Sequence, residues 1–83
     1  MIKRNKTMII SEILNICLDG ASKTKIVYQA NLNFRTVNPY LKLLIKKDLL
    51  LAKNGPRKLY ETTNKGKVLL ENYNRIKDEL SDI

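Results

Sequence analysis

Three groups of side chains in this sequence suit one kind of chemistry, the recognition of a polyanion. Arg35, Thr36, Asn38, Lys42 and Lys46 recur along one stretch, and on a helix they fall on one side. Arg35 carries a planar fork that can pair in bidentate fashion with guanine, and Asn38 an amide that can do so with adenine. Thr36 and Leu43 can each touch a thymine methyl. Lys23, Thr24 and Lys25 open a second stretch. If that stretch is helical, its free N–H groups and positive dipole end can seat a phosphate. Lys53, Arg57 and Lys58 surround an Asn54-Gly55-Pro56 turn, from which they can reach a phosphate backbone.

Other chemistries are excluded by what the chain lacks. It has no His and one Cys, Cys17, so zinc sites of Cys and His, His-based nucleophile pairs and an internal disulfide framework all fail. Cys17 reads as a small buried hydrophobe. There is no Gly-rich phosphate loop and no paired-acid cluster, and the acids after residue 70 face several ways round one helix. We therefore expect no enzyme activity, no cofactor and no small-molecule ligand. The charge is concentrated: residues 22–67 hold 11 Lys/Arg against Asp48 and Glu61, a net of +9. Residues 1–21 carry +1 and residues 68–83 carry −2. A polyanion partner is thus expected for the middle of the chain. Lys3, Arg4 and Lys6 suit either a flexible arm on that partner or a frayed terminus. Tyr28 and Tyr40 suit a core edge or a sugar–phosphate contact.

The elements that must position these groups follow from periodicity and caps. Ile9, Ile10, Ile13, Leu14 and Cys17 mark one face of a first helix, about Asn5 to Leu18, closed by Asp19-Gly20. Ser22 or Thr24 can cap a short helix, about Lys23 to Ala30. Asn33 can cap a third, about Phe34 to Lys47, whose core stripe is Phe34, Val37, Leu41, Leu44 and Ile45. Pro39 lies on its outer face, where water can satisfy the carbonyl that proline frees, and we expect a kink there. Leu49–Lys53 and Lys58–Thr62 flank the Gly-Pro turn as a β-hairpin. Thr63 can cap a last helix, in which Leu69, Tyr73, Ile76, Leu80 and Ile83 step by four and three as a short heptad seam.

Helix, helix, helix, hairpin, long helix is the order of an α+β, mainly α, winged helix-turn-helix with a two-stranded wing and a long C-terminal helix. Its core should draw on Ile9, Ile13, Cys17, Ile26, Val27, Leu32, Val37, Leu41, Leu44, Leu50, Leu59 and Leu70. We divide the chain into a winged-helix domain, residues 1–63, and a packing and dimerisation helix, residues 64–83.

Particular runs resemble an archaeal winged-helix DNA-binding family. Lys23-Thr24-Lys25-Ile26-Val27-Tyr28-Gln29-Ala30-Asn31-Leu32-Asn33 is similar to its second helix and turn. Tyr40-Leu41-Lys42-Leu43-Leu44, followed by Leu49-Leu50, is similar to its third helix and first strand. Tyr60 to Gly66, with Thr63, Lys65 and Gly66, resembles its passage from wing to last helix. The resemblance covers roughly residues 7–80. That family includes predicted transcription regulators and ten-kilodalton chromatin proteins that dimerise through an antiparallel coiled coil of the last helix. Set against that resemblance, the last helix is expected to be shorter than that coiled coil.

The residues and the resemblance agree on an expectation. The protein should bind double-stranded DNA as a small regulator, with the third helix in the major groove and the wing on the backbone. The alternatives are a sequence-tolerant architectural chromatin protein and a protein-interaction module. The apolar seam exceeds what one small core covers along about 30 Å of helix, so we expect a homodimer through Leu69, Tyr73, Ile76, Leu80 and Ile83. Neither an export signal nor an apolar run of spanning length is evident, which points to a cytoplasmic, nucleoid-associated protein.

Overall fold

The structure, a computed structural model, describes residues 4–81. Ile83 of the expected seam and Lys3 of the expected arm lie outside them. Four helices and one hairpin follow in the order α1 (Lys6–Ile16), α2 (Lys23–Gln29), α3 (Phe34–Lys46), β1 (Leu50–Lys53), β2 (Leu59–Thr62) and α4 (Asn64–Leu80).

Each helix begins where a short polar side chain can take an orphan N–H. Asn5 accepts from Met8 N, Ser22 from Lys25 N, Asn33 from Thr36 N and Thr63 from Gly66 N. The helix ends are equally local. After α2, Asn31 takes the left-handed conformation at φ 56°, and after α3 Asp48 does so at φ 60°. In both cases the next residue's N–H returns to a carbonyl five positions back, Leu32 to Val27 and Leu49 to Leu44. This closure satisfies the last carbonyls and reverses the chain. Gly20, at φ 90°, turns the chain after α1 without steric cost. The third helix passes through Pro39 unbroken. Arg35 and Pro39 are both exposed, so water can reach the carbonyl that proline leaves without a donor.

The hairpin is antiparallel, with Leu50 opposite Thr62 and Lys53 opposite Leu59. Ala21 adds a single bridge to its other edge: Ala21 N–H donates to Tyr60 O at 2.9 Å, and Tyr60 N–H to Ala21 O at 2.8 Å. That bridge ties the α1–α2 connection to the wing, a tie the sequence reading did not contain.

The core is formed by Ile13, Leu14, Cys17, Ala21, Ile26, Val37, Leu41, Leu44, Leu49, Leu50, Tyr60 and Leu70. Ile9, Val27 and Leu32 pack against it half-buried. Three expectations need correction. Phe34 and Ile45 are 50% and 40% exposed, so they leave the core stripe of α3. Both sit at one edge of the apolar arc, about 20° and about 40° beyond Leu41, the nearest of the buried Val37, Leu41 and Leu44. In β2, Tyr60 and Thr62 point inward, whereas Leu59 is half-buried. The inward Thr62 is satisfied, because its hydroxyl donates to Leu14 O at 2.6 Å. That carbonyl lies in the last turn of α1, where orphan acceptors occur.

The long helix packs on α1 and β2 through its first half. Beyond Tyr73 every described residue to Ser81 is exposed, so the last two turns extend past the domain.

Candidate nucleic-acid interface

The outward side of α3 is built by helix geometry. At about 100° per residue, Arg35, Asn38, Pro39, Lys42 and Lys46 fall within about 100° of one another, with Thr36 and Leu43 at one flank. The buried Val37, Leu41 and Leu44 lie on the opposite side. Arg35, Thr36, Asn38, Pro39, Lys42 and Lys46 are all exposed, and Leu43 is half-buried. The helix contains no acidic residue. Every charge on this face is therefore positive, and the face carries the side chains able to read base edges.

The wing is partly neutralised. Lys53 forms an ion pair with Glu61 on the facing strand at 2.6 Å. The hydrogen bond from Lys53, then its charge, with a smaller contribution from Lys67, hold the Glu61 carboxyl below its ordinary value. Lys58 lies over the Tyr60 ring, 5.7 Å from its centroid, a cation–π arrangement. Both cations remain exposed, and Arg57 between them stands at the tip. Among the described residues Arg57 has no ion pair.

At the start of α2, Thr24 and Lys25 are exposed and Lys23 is half-buried. This helix has seven residues, so its dipole is short. Lys23 and Lys25 themselves supply most of the positive potential there. Tyr28 is 86% exposed, which removes it from the core edge, whereas Tyr40 packs half-buried against the core.

The structure adds Lys47 and Lys65 to the cations near α3 and places Lys6, read from sequence as part of an arm or a frayed terminus, beside that helix. Lys46 and the exposed Lys47 line one groove with Lys65, and Lys65 Nζ donates to Lys47 O at 3.0 Å. Lys6 lines another groove with Thr36, Pro39, Tyr40 and Leu43. Arg4 is neither a free arm nor a frayed end. It pairs with Glu12 at 2.7 Å and donates to the carbonyls of Ala30 and Asn31. Cys17 is fully buried and its thiol is pushed up to about 12 by loss of hydration, slightly offset by Lys25. It has no part in this face.

On α4, Leu69, Ile76 and Leu80 are 43%, 56% and 58% exposed, and Val68 beside them is 56% exposed. Tyr73 is half-buried and lines a groove against α1 with Ile10, Leu14, Leu69 and Leu70. No helix among the described residues is long and apolar enough to cross a membrane.

A helix-turn-helix with a two-stranded hairpin directly after its second helix defines a winged helix, and here that second helix presents a cationic side. The chain belongs to the winged helix-turn-helix family, whose family model matches residues 3–81. Among solved structures it is similar to Sso10a-2, a DNA-binding protein from Sulfolobus solfataricus. The TM-score is 0.79 at 32% identity, over 95% of this chain and 87% of that one. It shares its fold with BpsR of Bordetella bronchiseptica, whose DNA binding is regulated by 6-hydroxynicotinic acid. There the TM-score is 0.78 at 18% identity, covering 89% of this chain and 56% of the other. An uncharacterised protein of Methanocaldococcus jannaschii is 39% identical over 71 residues, or 84% of this chain. The match spans about a third (32%) of that relative's length. The resemblance to archaeal winged-helix proteins read from the residues thus stands.

Proposed function

We propose that the protein binds double-stranded DNA as a small transcriptional regulator of the cytoplasm and nucleoid. In this reading α3 enters the major groove and the wing and α2 start rest on the backbone. The observation that carries it is the outward side of α3: Arg35, Lys42 and Lys46 are exposed with no acidic residue on the helix, opposite the buried Val37, Leu41 and Leu44. Arg35 and Asn38 read bases, and Thr36 and Leu43 meet thymine methyls. Lys23, Thr24, Lys25, Lys42, Lys46, Lys53, Arg57 and Lys58 contact or neutralise the backbone. The similarity to a DNA-binding protein at 32% identity supports the same partner.

The protein acts as a homodimer through residues 64–83, separate in role from the winged helix of residues 1–63. The support is the row of exposed Leu69, Ile76 and Leu80, continuous with Tyr73. A second copy is the simplest cover for such a row, and a two-fold axis would present two recognition helices to DNA.

Selection from random duplexes tests the regulator reading. A regulator enriches one motif, and Arg35→Ala relaxes the preference at one base position while Lys42→Ala weakens all sequences alike. Enrichment of no motif, with tight binding throughout, would place the protein among architectural DNA binders instead.

A further inference from the structure

The segment before α1 was the least informative stretch of the sequence, and it holds the most constrained arginine of the molecule. The Arg4 guanidinium reaches Glu12 two turns into α1, the carbonyl of Ala30 at the end of α2 and the carbonyl of Asn31 in the turn to α3. These two carbonyls belong to the helix-turn-helix turn itself. Asn31 is the left-handed residue that directs the chain into α3. One side chain thus ties the start of α1 to the turn that aims α3. The planar guanidinium spreads its donors over two nitrogens in a fixed fork, Nη1 on Glu12 and Ala30 O and Nη2 on Asn31 O, whereas an ammonium gathers its three donors on one rotating nitrogen and does not reproduce that span.

The consequence falls on Lys6, two residues further on. Lys6 is exposed, has no ion pair among the described residues, and lines the groove formed by Thr36, Pro39, Tyr40 and Leu43 of α3. Thr36 and Pro39 belong to the outward side of α3. A duplex seated on that side runs a phosphate backbone past its flank, where Thr36 and Lys6 line the same groove.

We infer that Lys6 is a further phosphate contact of the DNA interface and that Arg4 is the positioning residue that holds it there. This rests on the DNA-binding reading above. Arg4 itself stays off the DNA, because its charge is paired with Glu12 and its donors are spent on Ala30 and Asn31.

The test is the salt dependence of binding to one duplex of fixed sequence, read for the unaltered chain and for Lys6→Ala, Arg4→Ala, Arg4→Lys and the Lys6→Ala/Arg4→Ala double variant. Each phosphate contact contributes about 0.9 to the log–log slope. Lys6→Ala should reduce the slope by about 0.9. Arg4→Ala should reduce it by a similar amount, and so should Arg4→Lys although it keeps the charge. The double variant should lose no more than either single one. Thermal melts establish that each variant is folded, and if Arg4→Ala is not, Arg4→Lys carries the comparison. An unchanged slope for Lys6→Ala overturns the inference. So does retention of the full slope by Arg4→Lys, or losses that add in the double variant, since either makes Arg4 an independent contact. If the unaltered chain itself shows no salt-dependent binding, the DNA reading fails first, and that outcome is distinct from the others.

Discussion

The Thr63 hydroxyl donates to the Asp48 carbonyl at 2.7 Å while accepting from Gly66 N–H at 3.0 Å. One oxygen therefore closes the turn after α3 and opens α4. The Thr63 N–H adds a bond to Leu49 O at 3.1 Å, and Lys65 reaches Lys47 O. The Thr63, Lys65 and Gly66 pattern that resembles other winged helices is thus a structural joint. It fixes where α3 ends and where α4 begins.

Replacing Thr63 should show both halves of that joint. Thr63→Val keeps the shape and removes the cap and the bond to Asp48, and should cost about 1–2 kcal/mol in urea unfolding. Thr63→Ser should retain most of the stability. Equal stability of the valine variant and the unaltered chain would show that the hydroxyl does not hold the joint.

Gly66 lies inside α4, where alanine would ordinarily add about 1 kcal/mol of helix stability. Here a Cβ would stand 2.5 Å from Leu49 O and 2.7 Å from Thr62 Cγ2. The first is backbone and cannot swing away. Gly66→Ala should therefore destabilise by roughly 1–3 kcal/mol, seen as a lower urea midpoint with an unchanged slope. A stabilised variant would show that α4 can shift away from β1.

Asp48 pays for its left-handed backbone and places a carboxylate at the C-terminal, negative end of α3. Glycine relieves both. Asp48→Gly should gain a few tenths to about 1 kcal/mol, whereas Asp48→Ala should lose stability. A destabilised glycine variant would mean that the Asp48 side chain serves a contact of its own.

Stability should bend at both ends of the pH scale. Folding holds the Cys17 proton up to about 12, against an ordinary value of 9.0. Its contribution is complete below 9.0 and is lost as pH rises through the folded value. The thiol should resist iodoacetamide at pH 8.5 in buffer and react in urea; equal rates would place Cys17 at the surface. Glu61 runs in the opposite sense, since Lys53 lowers its carboxyl from the ordinary 4.5. Its contribution is present above that value and is lost as pH falls through the lower folded one. Glu61→Gln should flatten the acid limb of the stability curve.

The helices were legible because their boundaries are local. Ser22, Asn33, Thr63 and Gly20 signal caps and stops within four residues of what they close, and Val37, Leu41 and Leu44 of the α3 stripe follow from spacing, whereas Phe34 and Ile45, on the same arc, stay exposed. What stayed hidden is tertiary. The Ala21–Tyr60 bridge is one residue long and leaves no periodic trace. In β2, Leu59 and Tyr60 are both apolar, so alternation cannot choose the inward register, and the choice rests on Thr62 finding Leu14 O. The cationic residues of α3 could be placed on one side from sequence. The Arg4 contacts with Ala30 and Asn31 join positions 26 and 27 residues apart, and no pattern announces them.

The most direct test of the central claim, that the cations around α3 form a surface for duplex DNA, is the equilibrium affinity for a duplex across a range of salt concentrations. Neutralising about five to eight phosphates gives a log–log slope near −5 to −7. A slope in that range, reduced in parallel by Lys42→Ala and Lys46→Ala, is what the structure predicts. Affinity indifferent to salt, or no binding even at low ionic strength, would contradict it.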